Sequence, residues 1–478
     1  MDYSRCDPLY SFAVTGGSLV SPLIVMKVFA RLIYGCLLTS SACASHEHVS
    51  IPLASAETRL YDNDPEHLWN RLHRALLIRL GDDGKGYGQD EVDPLLFPTT
   101  RHLLSGSSHQ DTITLLDNFL EQGGHELVRD PLKRAVLQHD LIAIFQWAAL
   151  RPDWRPDLAI LEPARKRLRA RLAQAISRIA LSTDEIRSLP DTYAAAVASH
   201  YFPADFEPGK PDAAFLPRDL FKENGPWVCV GPRRSGRLDP ALPPAAPVHA
   251  ISTANRSAFM VFLSLPGGRN ATLSYLDRLR EFPRHSVVGK DGRLEANPEL
   301  PQFPERTRVA LVRQMILIDN TGNPIPTRLT ETVEIRVYQE VSRNPQGWRE
   351  QAAREQLFFQ IDFSRTRLFA SHAGGMRSIG DRKDLHDGGD PFESNRAGEH
   401  PVPVGMREIR LKKCAGCHTG GGMFSVKSFY PHFNFGTNDA DSIPRPLAPR
   451  RPEEELIAAA ERLKMSHSFG LMRGLLER

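Results

Sequence analysis

Three side chains near the C-terminus, Cys414, Cys417 and His418, have the types and the spacing to do chemistry together. They lie in the sequence Cys-Ala-Gly-Cys-His, where an imidazole directly follows the second of two thiols. Two thiols at this spacing can add to the two vinyl groups of one porphyrin, and the adjacent imidazole is then placed to bind its iron. Ala415 and Gly416 are small, which suits a backbone lying close to a flat macrocycle. The motif therefore predicts one covalently attached haem c.

The same residues have two other uses that the motif leaves open. Cys414, Cys417 and His418 could bind a structural zinc ion, with His432 as the fourth ligand. The two cysteines could also form a redox-active disulfide, although no thioredoxin-like pattern surrounds them.

The segment Cys-Ala-Gly-Cys-His-Thr-Gly-Gly-Gly resembles the haem attachment sites of the c-type cytochromes. The resemblance covers about the last 75 residues of the chain and is specific at the five positions of the motif. It implies thioether bonds at Cys414 and Cys417, with His418 as the proximal iron ligand. The rest of the chain looks like large exported bacterial proteins that end in such a site, which implies no particular activity.

The resemblance also implies a second axial ligand, usually a methionine some tens of residues after the motif. Met465 lies at a plausible distance, and His432 in Tyr-Pro-His-Phe is the alternative. Further candidates, and an empty sixth position, stay open because sequence distance alone cannot place a distal ligand. These further candidates are His467, Met472 and Met423.

The N-terminal segment has the features of an export signal. Positive charge at Lys27 and Arg31 precedes a short apolar run over residues 32–38, and Ala42-Cys43-Ala44 fits the small-x-small cleavage rule. Met26 is a natural translation start, so we expect residues 1–25 to precede the true start. Residues 1–44 are therefore predicted to direct the protein to the periplasm or otherwise out of the cytoplasm.

Two variants of this interpretation would keep the protein at a membrane. The N-terminus could act as a signal anchor beginning near Leu19, or Cys43 could be acylated as a lipid anchor. No other stretch is apolar enough to span a bilayer, so we expect no transmembrane span in the mature chain.

Composition limits the classes of partner. Lys and Arg (60) nearly balance Asp and Glu (57), which gives no reason to expect nucleic acid binding. With 41% hydrophobic and 24% charged residues, the 478-residue chain has the composition of a globular protein. Only Cys229, Cys414 and Cys417 follow the export signal, too few for a disulfide framework, and Cys229 is expected to be a buried small apolar residue.

The elements that must position the motif indicate an α+β protein with an N-terminal helical region, a central, mainly antiparallel sheet region and a small C-terminal helical haem c segment. Residues 45–205 carry helical periodicity, residues 206–400 carry short strands and a polar loop, and residues 401–478 form the cytochrome c-like segment. A hairpin is predicted to join residues 309–319 with residues 331–341, and helices are predicted over residues 271–281 and 452–464.

Electron transfer to a redox partner protein is the function that a single haem bound on both faces would favour. An open sixth position would instead favour a haem-dependent oxidoreductase of the peroxidase type. A third class is a non-catalytic binding protein that uses its haem as a structural or sensing group.

Overall fold

The computed structural model divides the chain into residues 1–51 and one compact unit, Pro52–Arg478. The structure describes residues 58–80, 86–87, 101–150, 161–231, 245–246, 249–250, 254–289, 294–342, 355–379, 418, 421–426 and 447–477. The predicted export signal and Cys43 lie outside these ranges. Within them, no helix combines the length and the apolar character needed to cross a membrane.

Helices dominate the first part of the described chain. Local signals explain where several begin: Asp130 accepts hydrogen bonds from the backbone N–H groups of Leu132 and Lys133, with Pro131 in the first turn, and Ser182 forms a capping box with Glu185. The six helices are α1 (Leu68–Leu77), α2 (Gly106–Glu121), α3 (Pro131–Ala148), α4 (Glu162–Arg178), α5 (Thr183–Arg187) and α6 (Thr192–Ala198).

A seven-stranded antiparallel sheet forms the centre of the described structure, in the order β10-β9-β8-β7-β4-β3-β11. Two short hairpins, β1–β2 and β5–β6, stand apart from it. The strands are β1 (Arg79–Leu80), β2 (Gly86–Tyr87), β3 (Val228–Gly231), β4 (Ser257–Ser264), β5 (Ser286–Val288), β6 (Leu294–Ala296), β7 (Arg308–Ile318), β8 (Pro324–Tyr338), β9 (Gln356–Phe363), β10 (Met376–Ser378) and β11 (Ala448–Pro449). The later helices are α7 (Gly268–Glu281), α8 (Arg365–Phe369), α9 (Pro452–Lys464) and α10 (His467–Leu476).

Both faces of the sheet are covered, as the alternation of its side chains requires. On β4, Phe259 and Val261 face one hydrophobic cluster together with Tyr275 of α7, whereas Met260 and Phe262 face another cluster on the opposite side. Strands buried on both faces read as continuous apolar runs, which explains the Ala-Phe-Met-Val-Phe-Leu sequence of β4.

Helix α3 is attached to the sheet by buried polar side chains. Gln138 donates to the carbonyl oxygen of Ile318 at 2.7 Å and accepts from its N–H at 3.0 Å, at the end of β7. Asp140 accepts two hydrogen bonds from Arg365 of α8, at 2.7 and 3.1 Å, and both side chains are almost fully buried. These contacts hold the helical part of the chain against one end of the sheet.

The C-terminal residues are built into both parts of the structure. Strand β11 pairs with β3 at one edge of the sheet. Ala459 and Leu463 of α9 and Phe469 and Met472 of α10 join the hydrophobic cluster formed by α1 to α4. The C-terminal helices therefore complete the N-terminal helical core.

The predicted fold class is confirmed, and most elements lie where the sequence indicates. Helix α9 coincides with the predicted residues 452–464. The hairpin differs at one strand, because β8 begins at Pro324 and pairs with β7 through register shifts beside Gln314. The helix after α9 was not predicted, because its Ser-Phe-Gly-Leu-Met sequence carries a glycine and no long apolar stripe. The predicted boundaries of the regions stay a prediction.

Candidate functional site

His418, the imidazole of the predicted haem motif, is half-buried, and a hydrogen bond orients its ring. Its Nδ1 lies 2.9 Å from the backbone carbonyl oxygen of Ser425. A carbonyl oxygen only accepts, so Nδ1 carries the proton, and in the neutral ring the lone pair for a metal ion is then on Nε2. Histidines that bind metals usually donate their other ring N–H in this way. Cys414 and Cys417 lie outside the described residues.

Ser425 belongs to a short 3-10 turn, Gly422–Ser425, which forms hydrogen bonds with side chains of β8 and β9. Its hydroxyl lies 2.7 Å from the Tyr338 hydroxyl, and its carbonyl oxygen accepts a bond from Arg336 at 3.2 Å. Gln356 of β9 donates to the carbonyl oxygen of His418 at 3.3 Å. Arg336 and Tyr338 alternate on β8 and therefore point to the same face of the sheet. The orientation of His418 thus depends on side chains of β8 and β9.

The side-chain amide of Gln302 connects the same turn to Ser342 and Phe303 through hydrogen bonds. Its Nε2 donates to the carbonyl oxygens of Ser342 (2.8 Å) and Gly421 (3.1 Å). Its Oε1 accepts from the backbone N–H groups of Met423 (2.7 Å) and Phe303 (2.8 Å). All four hydrogen-bonding positions of one amide are therefore used.

Two glycines are required where the chain enters the turn. A Cβ atom on Gly421 would lie 2.3 Å from the carbonyl oxygen of Ser342, far inside contact distance. Gly422 has φ +49°, and a Cβ there would lie 2.3 Å from Oε1 of Gln302. Gly421 and Gly422 therefore allow the turn to lie close to Ser342 and Gln302.

The inner side of the turn is apolar. Met423, Phe424 and Val426 are buried in the cluster that also contains Phe259 and Tyr338. Burial raises the pKa of Tyr338, with Arg336 and the hydrogen bond to Ser425 acting in the opposite direction. The Tyr338 hydroxyl therefore stays protonated and serves as a neutral hydrogen-bonding group.

A second imidazole, His249, lies beside His418. The two ring centres are 6.4 Å apart, and the ring planes differ by only 12°. His249 is half-buried, and its ring centre is 5.7 Å from that of Phe259 on β4. Its neighbours Ala245, Ala246 and Ala250 are buried in the same cluster as Met423 and Phe424.

The other candidate ligands lie at the C-terminal helices, in the turn beside His418 or outside the described ranges. Met465 follows the last residue of α9, and 58% of its surface is exposed. Met472 is buried in the helical core, and His467 is exposed at the start of α10. Met423 packs against the sheet beside the site. His432 lies outside the described residues. Cys229 is buried as expected, and burial raises the pKa of its thiol.

Sequence reasoning missed the residues that support His418. Gln302, Arg336 and Gln356 occur in strand or loop segments whose patterns predict structure but no site. His249 lies in the Pro- and Ala-rich segment Pro-Ala-Ala-Pro-Val-His-Ala, which carries no metal-binding spacing. Only the fold brings these side chains to the motif.

The described residues place two imidazoles, those of His249 and His418, next to each other at this site. No group of three or more His, Cys, Asp or Glu side chains suited to a metal ion occurs among the described residues. A haem iron, however, takes four ligands from its porphyrin and needs only one or two from the protein. Comparison of the chain with protein families, with curated proteins and with solved structures finds no match.

Proposed function

We propose that this chain is an exported electron-transfer protein with one haem c, attached covalently at Cys414 and Cys417 and ligated by His418. The observation that carries the proposal is the Cys-Ala-Gly-Cys-His motif. The 2.9 Å contact between Nδ1 of His418 and the carbonyl oxygen of Ser425 supports it, because a proton on Nδ1 puts the lone pair of the neutral ring on Nε2. The bound haem would supply a one-electron redox centre.

In this proposal the chain's own residues hold the imidazole in one orientation. The carbonyl oxygen of Ser425 accepts a hydrogen bond from Nδ1 of His418, which fixes the ring plane and makes Nε2 a better electron donor. Arg336 donates to the same carbonyl oxygen, so two donors share that acceptor and the effect on the imidazole is moderated. Buried Met423 and Phe424 exclude water from the inner side of the turn. A rigid, partly dry setting of this kind suits a centre that changes charge without changing shape.

Covalent attachment can be tested by expressing the full chain together with the haem-attachment machinery. We expect haem to stay on the denatured polypeptide, as seen by mass spectrometry and by the pyridine haemochrome spectrum. Cys414→Ala and Cys417→Ala should each lose one thioether bond, whereas the buried free Cys229 offers a matched control, Cys229→Ala, that keeps both. Loss of all haem on denaturation, with both motif thiols reactive, would refute the proposal and favour zinc.

Electron transfer can be separated from catalysis with the intact haem protein. We expect reversible one-electron oxidation and reduction, and no change of the reduced spectrum under carbon monoxide. Carbon monoxide binding together with peroxide turnover would contradict the electron-transfer role and favour a haem-dependent oxidoreductase.

Export to the periplasm belongs to the same proposal, because c-type haem attachment takes place outside the cytoplasm. N-terminal sequencing of protein from the periplasmic fraction should show a chain that begins at residue 45. A chain that begins at an acylated Cys43 in the membrane fraction would identify the lipoprotein variant instead.

A further inference from the structure

We infer that His249 is the second axial ligand of the iron, so that the haem is held between two imidazoles. The inference rests on the proposed function, since it concerns the same haem site. It names a residue far from the motif in sequence, in a segment without any metal-binding pattern.

The distance between the two rings fits opposite faces of one metal ion. A metal–imidazole bond is about 2.0 Å long, so two imidazoles on opposite sides of one ion have ring centres about 6 Å apart. In a tetrahedral zinc site the same bonds would place the ring centres about 5 Å apart. The observed separation of His249 and His418 is 6.4 Å, with ring planes only 12° from parallel. The observed separation therefore matches two ligands on opposite sides of one ion more closely than two ligands of one tetrahedral site.

Each imidazole is positioned by a different part of the fold. His418 is oriented by Ser425, whose turn is fastened to β8 and β9. His249 is in a helical turn next to Ala250. The N–H of Ala250 donates to the carbonyl oxygen of Ala246 at 3.0 Å, and the carbonyl oxygen of Ala250 accepts from the N–H of Asn255 at 2.9 Å.

One hydrophobic cluster contains residues that lie next to both imidazoles. Ala245, Ala246 and Ala250 around His249 are buried together with Met423 and Phe424 after His418. Phe259 of β4 belongs to the same cluster and contacts the His249 ring. Shared packing of this kind keeps the separation of the two imidazoles nearly constant. A fixed separation is what two axial ligands of one rigid cofactor need.

Two imidazole ligands would specify the chemistry of the site. An iron ligated on both faces by protein groups has no free position for peroxide or a diatomic gas, which favours electron transfer over catalysis. Methionine as second ligand raises the reduction potential, so a histidine pair should give a lower potential than a His/Met pair.

The test uses the full-length haem protein and its His249→Ala variant. Wild-type protein should be six-coordinate and low-spin, inert to carbon monoxide, and without a methionine-to-iron charge-transfer band. His249→Ala should become high-spin and bind carbon monoxide, and added imidazole should restore the low-spin spectrum. His249→Met should stay six-coordinate with a raised reduction potential.

Two control variants distinguish His249 from the ligands suggested by sequence distance. His467→Ala and Met465→Ala change exposed residues and should leave the spectrum of the wild type unchanged. The inference is overturned if His249→Ala stays low-spin and inert to carbon monoxide, or if Met465→Ala or His432→Ala becomes high-spin instead. Should His249→Ala fail to fold, the near-infrared magnetic circular dichroism of the wild type decides: bands of a histidine pair support the inference, and those of a His/Met pair refute it.

The two proposals fail in distinguishable ways. Wild-type protein without covalent haem would refute the proposed function. Covalent haem that keeps its low-spin spectrum in His249→Ala would leave the haem site in place and refute only the role of His249.

Discussion

Replacement of Gln302 by Glu tests how firmly the turn after His418 is held. The change keeps the shape of the side chain and replaces the donating Nε2 by an oxygen. That oxygen would face two backbone carbonyl oxygens, those of Ser342 and Gly421, which now accept at 2.8 and 3.1 Å. The acceptor bonds to Met423 and Phe303 can persist. The substitution therefore removes two donors and places a carboxylate against two carbonyl oxygens.

The size of the effect follows from those two bonds. Each lost hydrogen bond costs about 1 kcal/mol net, and the carboxylate that then faces two carbonyl oxygens adds an unfavourable electrostatic interaction of up to about 2 kcal/mol. We expect the turn to lose about 2 to 4 kcal/mol of stability against local opening. Protonation of the new carboxyl group at low pH restores one donor, so the defect should shrink as the pH falls.

Hydrogen exchange at the amides of residues 421–426 is the direct assay, because it reports local opening. Urea unfolding followed by circular dichroism shows how much of the loss reaches the global transition. Gln110→Glu on the exposed side of α2 is the matched control and should change neither. Exchange rates in Gln302→Glu equal to those of the wild type, with unchanged urea unfolding, would refute the role assigned to this amide.

Two further perturbations concern the buried charges between α3 and the sheet. Arg365→Met leaves the Asp140 carboxylate buried without the guanidinium that pairs with it, so we expect the free energy of unfolding in urea to fall by about 3 to 5 kcal/mol. Much of that loss should be recovered in the double variant with Asp140→Asn. Additive losses in the double variant would contradict the pairing. Burial lowers the pKa of His139 to about 4, and Arg313 acts in the same direction whereas Glu331 opposes it. The folded state therefore binds a proton at His139 less well than the unfolded chain does. The free energy of unfolding has its full value above about pH 6.5 and falls as the pH decreases toward 4. Between about pH 7.5 and pH 5 the wild type should therefore lose about 2 kcal/mol relative to His139→Gln, and a difference that does not change with pH would show that His139 is not held neutral.

The amino-acid sequence alone determines the local features of this protein. Capping residues and periodicity identify the helices, as Asp130-Pro131 at α3 and the coincidence of α9 with its prediction show. Alternating and continuous apolar runs identify β4, β7 and β9, and these signals suffice for the α+β class. The Cys-Ala-Gly-Cys-His motif is local as well, because thioether attachment and one axial ligand need only five consecutive residues.

Only the tertiary structure decides which distant groups meet that motif. Gln302 and Arg336 reach the turn after His418 because antiparallel pairing of β7 and β8 brings their segments to one end of the sheet. His249 is brought to His418 by packing of an alanine-rich segment onto β4, which leaves no periodic trace in the sequence. Met465, which sequence distance suggests as a ligand, lies between two helices that pack against the N-terminal helical core, and its role stays a prediction. Local sequence patterns reflect the hydrogen bonds and the apolar face of a single helix or strand. Which residues meet at a site depends on how helices and strands pack against each other, and that information is spread over the whole chain.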